Sequence, residues 1–165
     1  MSAAELTRGR PAATLVLAVA AATILGALAS QHLFGLIPCK LCLEQRQPYY
    51  LGLPLALATL LAPPGSWRRL GLALLALLFV WSAALAINHA GVEWGFWLGP
   101  ADCAGGGANP ASVGDLMAAI QRSRVVSCTE AAWRFLGLSL AGWNALISLG
   151  LALFAAQAAW RSGGR

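Results

Sequence analysis

The sequence predicts an all-α membrane protein, a four-transmembrane-helix bundle with a short amphipathic interfacial helix in the second loop on the cysteine side. Three observations predict it. The chain is 59% hydrophobic and 10% charged, with a mean hydropathy of +0.69, whereas a soluble domain carries roughly a quarter charged residues. Its apolar residues gather into four runs, each near the roughly 20 residues that span a hydrocarbon core of about 30 Å. One long polar segment separates the last two runs, and inside it apolar residues recur with a helical period. The formal charge of +5 is not a nucleic-acid footprint. Its Lys and Arg residues lie at the ends of apolar runs, where they set topology, so the surrounding partner is membrane lipid and no nucleic acid.

The whole chain, 1–165, reads as one membrane domain. A polar start with Arg8 and Arg10 leads into the first span, about 12–34. Ala27-Leu28-Ala29 resembles a signal-peptide cleavage site, but the run is long for a signal sequence and three more spans follow. The second span, about 43–62, is interrupted by Pro48 and Pro54 and closed by Pro63-Pro64-Gly65. Counted from Pro48 it reaches only about 22 Å at 1.5 Å per residue, so it must begin just after Cys42 to cross. That places Arg46 one turn inside the helix, near the headgroup boundary. The basic turn Ser66-Trp67-Arg68-Arg69 precedes the third span, about 70–87, and the fourth, about 135–160, ends in Arg161 and Arg165. Four spans put both termini and Arg68-Arg69 on one side. The density of Arg in those short segments assigns that side to the cytoplasm. All cysteines then face the oxidising side.

The long loop, about 88–134, opens with Asn88-His89-Ala90-Gly91-Val92-Glu93-Trp94-Gly95-Phe96-Trp97. Trp94 and Trp97 suit the membrane interface. Cys103 precedes Gly105-Gly106-Gly107, a tract whose composition is that of a flexible linker. From Ser112 to about Arg124, Val113, Leu116, Met117 and Ile120 form one helical stripe, with Ser112 as N-cap and Asp115 in the first turn. A short basic amphipathic helix between two spans lies flat on the lipid surface. Cys128 follows it.

Chemistry centres on Pro38-Cys39-Lys40-Leu41-Cys42-Leu43-Glu44-Gln45-Arg46. One helical turn between two cysteines brings their sulfurs within reach, the spacing of a reversible dithiol. With Cys103 and Cys128 as the only other cysteines, two pairs outside the spans suggest electrons passing from one pair to the other. Two structural disulfides stapling loops are the alternative. Cys42 at a helix start gains from the helix dipole, and Arg46 at i+4 adds positive charge on the same face. Charge so close to hydrocarbon is costly and usually functional, although a snorkelling Arg would look the same.

Cys39-Lys40-Leu41-Cys42 at the start of the second span, with Arg46 four residues on, resembles the disulfide-bond formation protein B family. His89-Ala90-Gly91-Val92-Glu93, opening a long loop that carries Cys103 and Cys128, does so too. The likeness covers nearly the whole chain. It implies a protein-dithiol:quinone oxidoreductase of the bacterial inner membrane, with ubiquinone or menaquinone as cofactor. Its partner would be a periplasmic, thioredoxin-fold, DsbA-like dithiol oxidase. In such a system Cys103 would be attacked by the reduced partner, Cys128 would pass electrons to Cys39 and Cys42, and Cys42 would meet the quinone. Arg46 and His89 would lie at the quinone ring, with Glu93 as a further neighbour.

Two other readings compete. His32 and His89 fall on one side and could ligate a haem, although Leu43 after Cys42 rules out the covalent C-x-x-C-H motif. Four cysteines could hold zinc, but Cys103 and Cys128 are too far apart for the usual paired spacing, so no metal site is assigned. Gly105-Gly106-Gly107 lacks the Lys and helix context of a phosphate-binding loop.

Overall fold

The computed structural model describes residues 9–100 and 127–162. The chain folds as α1 (Arg10–His32), α2 (Lys40–Glu44), α3 (Gln47–Leu61), α4 (Ser66–Glu93), a hairpin of β1 (Arg134–Phe135) and β2 (Leu138–Ser139), and α5 (Leu140–Arg161). The predicted interfacial helix, the glycine tract and Cys103 lie outside the described residues.

Three of these helices, α1, α4 and α5, are long and apolar enough to cross a membrane. The second expected span is in two pieces. α3 alone has 15 residues, about 22 Å at 1.5 Å per residue, and so falls short of the hydrocarbon thickness. Pro48 explains the break. Its nitrogen cannot donate back to Glu44, and its ring crowds that carbonyl, so Gln45 and Arg46 form a tight turn in which Arg46 N–H donates to Leu43 O at 3.1 Å.

The third helix also departs from expectation. α4 continues past Ile87 to Glu93, so His89 and Glu93 stand on rigid helix rather than on a loop. Positive φ at Gly95 (74°) follows its end. At the far end of the loop, Leu136 (φ 51°) and Gly137 (φ 82°) both adopt the left-handed region, as a two-residue hairpin turn requires. They pair Arg134 with Ser139 and Phe135 with Leu138. Ser139 then caps α5, its Oγ accepting from the Gly142 N–H at 3.1 Å.

α4 and α5 share the most extensive interface, while α3 packs on both α1 and α4. The core joins Val16, Ala20 and Ile24 of α1, Tyr49 and Ala56 of α3, Leu75, Ala76 and Phe79 of α4, and Leu151, Ala152 and Ala155 of α5. Alanines predominate because association in lipid depends on close packing of small residues rather than on escape from water. At Gly71 a Cβ would stand 2.3 Å from Thr59 Oγ1, so only glycine lets α3 approach α4 there. Leucines such as Leu25, Leu57, Leu77 and Leu153 point outward, the arrangement of a helix bundle solvated by lipid.

Candidate active site

The dithiol sits at the start of α2. Cys39 is the N-cap, and its Sγ accepts from the Cys42 N–H at 3.2 Å. Both cysteines are free thiols, with their sulfurs 2.8 Å apart. His89 of α4 reaches across, its Nε2 3.6 Å from Cys39 Sγ. The Cys42 thiol donating to it, with help from His89 and the Cys42 N–H, holds Cys39 far below the usual thiol range, to about 4, against the opposing effect of burial. Cys42, whose proton is held by the Cys39 sulfur and which is itself buried, is pushed up. Spacing alone pointed to Cys42 as the sulfur served by the helix start. The geometry favours Cys39, because the N-cap side chain, not one in the first turn, faces the unpaired N–H groups.

Arg46 is buried. Its Nη1 donates to Gln31 Oε1 at 2.7 Å and its Nη2 to Ala27 O at 3.4 Å, both on α1. It does not snorkel, and among the described residues it does not pair with a cysteine. Two of its donors anchor it to α1 at the edge of a cavity of about 760 Å3. That cavity is lined along α1 by Thr23, Ile24 and Ala27, along α5 by Ala141 and Ile147, and at one end by Cys39, Cys42, Arg46, His89 and Glu93. Five of the seven residues singled out in the sequence therefore meet at one place. Cys128 is disulfide-bonded and buried in a cluster with Cys39, Leu41 and Val92, against which Cys42 also packs. Members of both cysteine pairs are thus neighbours. His32 does not line this cavity, which leaves the paired-histidine haem reading without a shared site.

The chemistry also rests on residues that the sequence reading passed over. Gln45 Nε2 meets His89 Nδ1 at 2.5 Å, and Asn144 Nδ2 donates to Gln45 Oε1 at 2.6 Å. Asn144 Oδ1 accepts from Tyr49 Oη at 2.6 Å, while Ser148 joins Tyr49 at 3.0 Å and Ser82 at 2.8 Å. A continuous polar chain therefore runs from Cys39 through His89, Gln45, Asn144, Tyr49 and Ser148 to Ser82. In this polarity Gln45 donates to Nδ1, which leaves the His89 proton on Nε2, facing the cysteine sulfur. The signal was available: Ser82 and His89 at i+7, and Asn144 and Ser148 at i+4, are polar stripes inside apolar runs, and intramembrane polar groups face the bundle interior.

Glu93 lies one turn beyond His89, its Oε1 3.7 Å from His89 Nε2, with both side chains buried. Trp97, expected as an interface anchor, is exposed and folds its ring back onto α4. Its Nε1 donates to Asn88 O at 3.0 Å, and its ring occupies the space where a Cβ on Gly91 would stand.

Comparison with known proteins gives the chain a family. Residues 9–158 match the family described as Disulfide bond formation protein DsbB. A disulfide bond formation protein B of Marinobacter nauticus is 35% identical over 153 residues, covering 83% of this chain and 86% of the relative. Another, of a Polaromonas species, is 32% identical over 125 residues, 74% of each chain. An uncharacterized protein of Rickettsia prowazekii is 28% identical over 127 residues, 76% of this chain and 73% of its own. No solved structure matches the chain. The protein belongs to the DsbB family, and is an integral membrane, disulfide-forming oxidoreductase.

Proposed function

We propose that the protein is a protein-dithiol:quinone oxidoreductase of the bacterial inner membrane, with termini in the cytoplasm and cysteines in the periplasm. In this role it reoxidises a periplasmic, thioredoxin-fold, DsbA-like oxidase. One observation carries the reading: the Cys39–Cys42 dithiol, His89 and Arg46 line one largely apolar cavity, and Cys128 packs in a cluster with the dithiol. A cavity of about 760 Å3 is within the usual range for a cofactor-sized ligand. Its apolar lining suits an isoprenoid quinone, ubiquinone or menaquinone, and its polar lining at Arg46 and His89 suits a quinone oxygen.

The energetics favour such an acceptor. A partner of the DsbA type stands near about −120 mV, whereas structural disulfides lie below about −300 mV, so a disulfide alone cannot reoxidise it. When bound, a quinone supplies the sink for two electrons and two protons. The remaining work is done by this chain's residues. The partner thiolate attacks Cys103, breaking the Cys103–Cys128 bond and forming a mixed disulfide. The partner's second thiol resolves that bond and leaves oxidised. Cys128, released as thiolate, attacks Cys39 of the Cys39–Cys42 disulfide, against which it packs, and displaces Cys42. Cys103 then re-forms its bond to Cys128, leaving Cys39 and Cys42 reduced. Re-forming the Cys39–Cys42 bond gives up two electrons and two protons. His89, held by Gln45, faces Cys39 and can take or return a proton there. Arg46, fixed by Gln31 and Ala27, supplies positive charge where negative charge develops. Glu93, its Oε1 3.7 Å from His89 Nε2, is a further carboxyl group at the same site.

The test is quinone reduction by the purified protein, driven by a reduced thioredoxin-fold oxidase, in wild type and Cys42→Ser. Turnover that needs the partner and disappears in Cys42→Ser is expected. Folded, disulfide-intact protein that reduces neither a ubiquinone nor a menaquinone analogue would sink the proposal.

A further inference from the structure

The reduced site holds more ligating groups than thiol exchange requires. Cys39 Sγ, Cys42 Sγ and a His89 ring nitrogen all lie within 4.8 Å of one another, the one such cluster among the described residues. Glu93 stands beside them with its side chain 5% exposed. Its Oε2 is buried without a hydrogen-bond partner among the described residues. An orphaned carboxylate oxygen in a buried site is costly unless something charged or hydrogen-bonding meets it.

We propose that the reduced dithiol is also a binding site for a thiophilic divalent cation, Zn2+ or Cd2+, held by Cys39 Sγ, Cys42 Sγ, His89 Nε2 and the Glu93 carboxylate. Tetrahedral zinc with Zn–S near about 2.3 Å and Zn–N near about 2.05 Å separates sulfur and nitrogen by about 3.6 Å. Cys39 Sγ and His89 Nε2 are already 3.6 Å apart. The 3.7 Å between His89 Nε2 and Glu93 Oε1 is within half an ångström of the roughly 3.3 Å that nitrogen and oxygen ligands require. Only the two sulfurs, at 2.8 Å, must open, to about 3.8 Å, which a rotation of the partly buried Cys42 side chain provides.

Coordination requires Nε2 to present its lone pair, so the His89 proton moves to Nδ1. The polar chain accommodates this. When the Gln45 and Asn144 amides turn over, Oε1 accepts from Nδ1–H, and the hydroxyls of Tyr49 and Ser148 exchange donor and acceptor roles with no bond lost. A ligating imidazole whose other nitrogen donates to a fixed carbonyl is the usual arrangement around zinc. On binding, the Cys42 thiol proton leaves to solvent, Cys39 already being the thiolate, and no electrons move. Two thiolates, a carboxylate and the cation sum to a formal charge of −1, which Arg46 at the same cavity offsets. The bound cation withholds both sulfurs from exchange, whatever acceptor the pair serves, so it acts as a brake on the reduced form alone.

The test uses the full chain carrying Cys103→Ser and Cys128→Ser, so that Cys39 and Cys42 are the only thiols. Reduced protein in detergent is titrated with Co2+ and with Cd2+, following thiolate-to-metal charge transfer and, for Co2+, the visible bands of a tetrahedral centre. One equivalent should bind, displaceable by Zn2+, and the oxidised protein should bind none. Glu93→Gln, which keeps the shape of the side chain, should weaken binding about ten-fold, and His89→Ala by at least about ten-fold. Binding of wild-type strength in Glu93→Gln overturns the four-donor site. So does a Co2+ spectrum without tetrahedral intensity, or no metal uptake by the reduced protein.

Discussion

The ionisation of the dithiol gives the sharpest test of the geometry. In the reduced pair, Cys39 receives the Cys42 thiol proton across 2.8 Å, the Cys42 backbone N–H at 3.2 Å and His89 Nε2 at 3.6 Å. Its thiol is held to about 4, so Cys39 is the thiolate at neutral pH and is protonated only as the pH falls through that value. Cys42→Ala removes the first of these three donors and keeps the other two. A hydrogen bond to a charged group contributes about 1.5–3 kcal/mol, and one pH unit corresponds to about 1.36 kcal/mol. The Cys39 midpoint should therefore rise by about one to two pH units and still lie well below an ordinary thiol. Cys42→Ser keeps a donor in place and should move it less. The assay is the rate of iodoacetamide alkylation at each cysteine against pH in fully reduced protein, resolved by peptide mass spectrometry. Wild-type Cys39 should reach its plateau below neutral pH, while Cys42 reacts only in alkaline solution. Faster alkylation of Cys42 at pH 7, or a Cys39 midpoint near 9, would refute the assignment of the thiolate to the N-cap sulfur.

Other expectations follow from particular contacts. Gln45→Leu leaves His89 Nδ1 and Asn144 Nδ2 unpaired in a buried site, at about 1–3 kcal/mol for each group. It should lower the thermal unfolding midpoint in detergent and raise the Cys39 alkylation midpoint, the second effect separating positioning of His89 from mere loss of stability. Gly91→Ala puts a Cβ 2.1 Å from the Trp97 ring. The indole must leave its seat and its bond to Asn88 O, a loss of about 1–3 kcal/mol, visible as a shift in Trp fluorescence that Gly26→Ala, with open space around it, does not produce. Ser139→Ala deletes the cap of α5 and should cost about 1 kcal/mol, read by the same unfolding measurement with the Cys39 alkylation midpoint unchanged.

The sequence displayed the helices that lipid demands, because a run of apolar residues without charge has few other uses. It also displayed the stripe Cys39, Cys42, Arg46, since one turn of helix and the cost of buried charge make those positions conspicuous. It did not show the break at Gln45-Arg46. Pro48 announces an interruption, but whether a proline kinks a helix or ends it depends on what receives the freed carbonyl. The end of α4 was hidden for a different reason. Hydropathy falls after Ile87, yet the helix continues to Glu93: Trp97 donates to the Asn88 carbonyl, and the side chains of His89 and Glu93 are received by Cys39 and by each other rather than by water. Which cysteine bears the charge was likewise set by capping geometry, which C-x-x-C spacing alone does not resolve.

A polar chain through the middle of a lipid-solvated bundle needs a reason, because an unpaired polar group in hydrocarbon costs several kcal/mol. Here Gln45, Asn144, Tyr49, Ser148 and Ser82 satisfy one another, and each is both donor and acceptor. Such a chain can run in either direction at similar energy, and its direction decides which nitrogen of His89 carries the proton. With the proton on Nε2, the ring donates to the Cys39 thiolate. With it on Nδ1, the ring offers a lone pair toward the dithiol. The polar chain that holds His89 against Cys39 thus leaves the adjacent base free to exist in both forms. Phenylalanine at Tyr49 would remove the one strong hydroxyl donor that sets the present polarity, with little change of shape. Nitrogen NMR of His89 in that variant should then show a mixture of tautomers where the wild type shows mainly Nε2–H. A wild-type tautomer ratio in Tyr49→Phe would mean that the Cys39 sulfur alone, and not the chain behind the ring, fixes the proton.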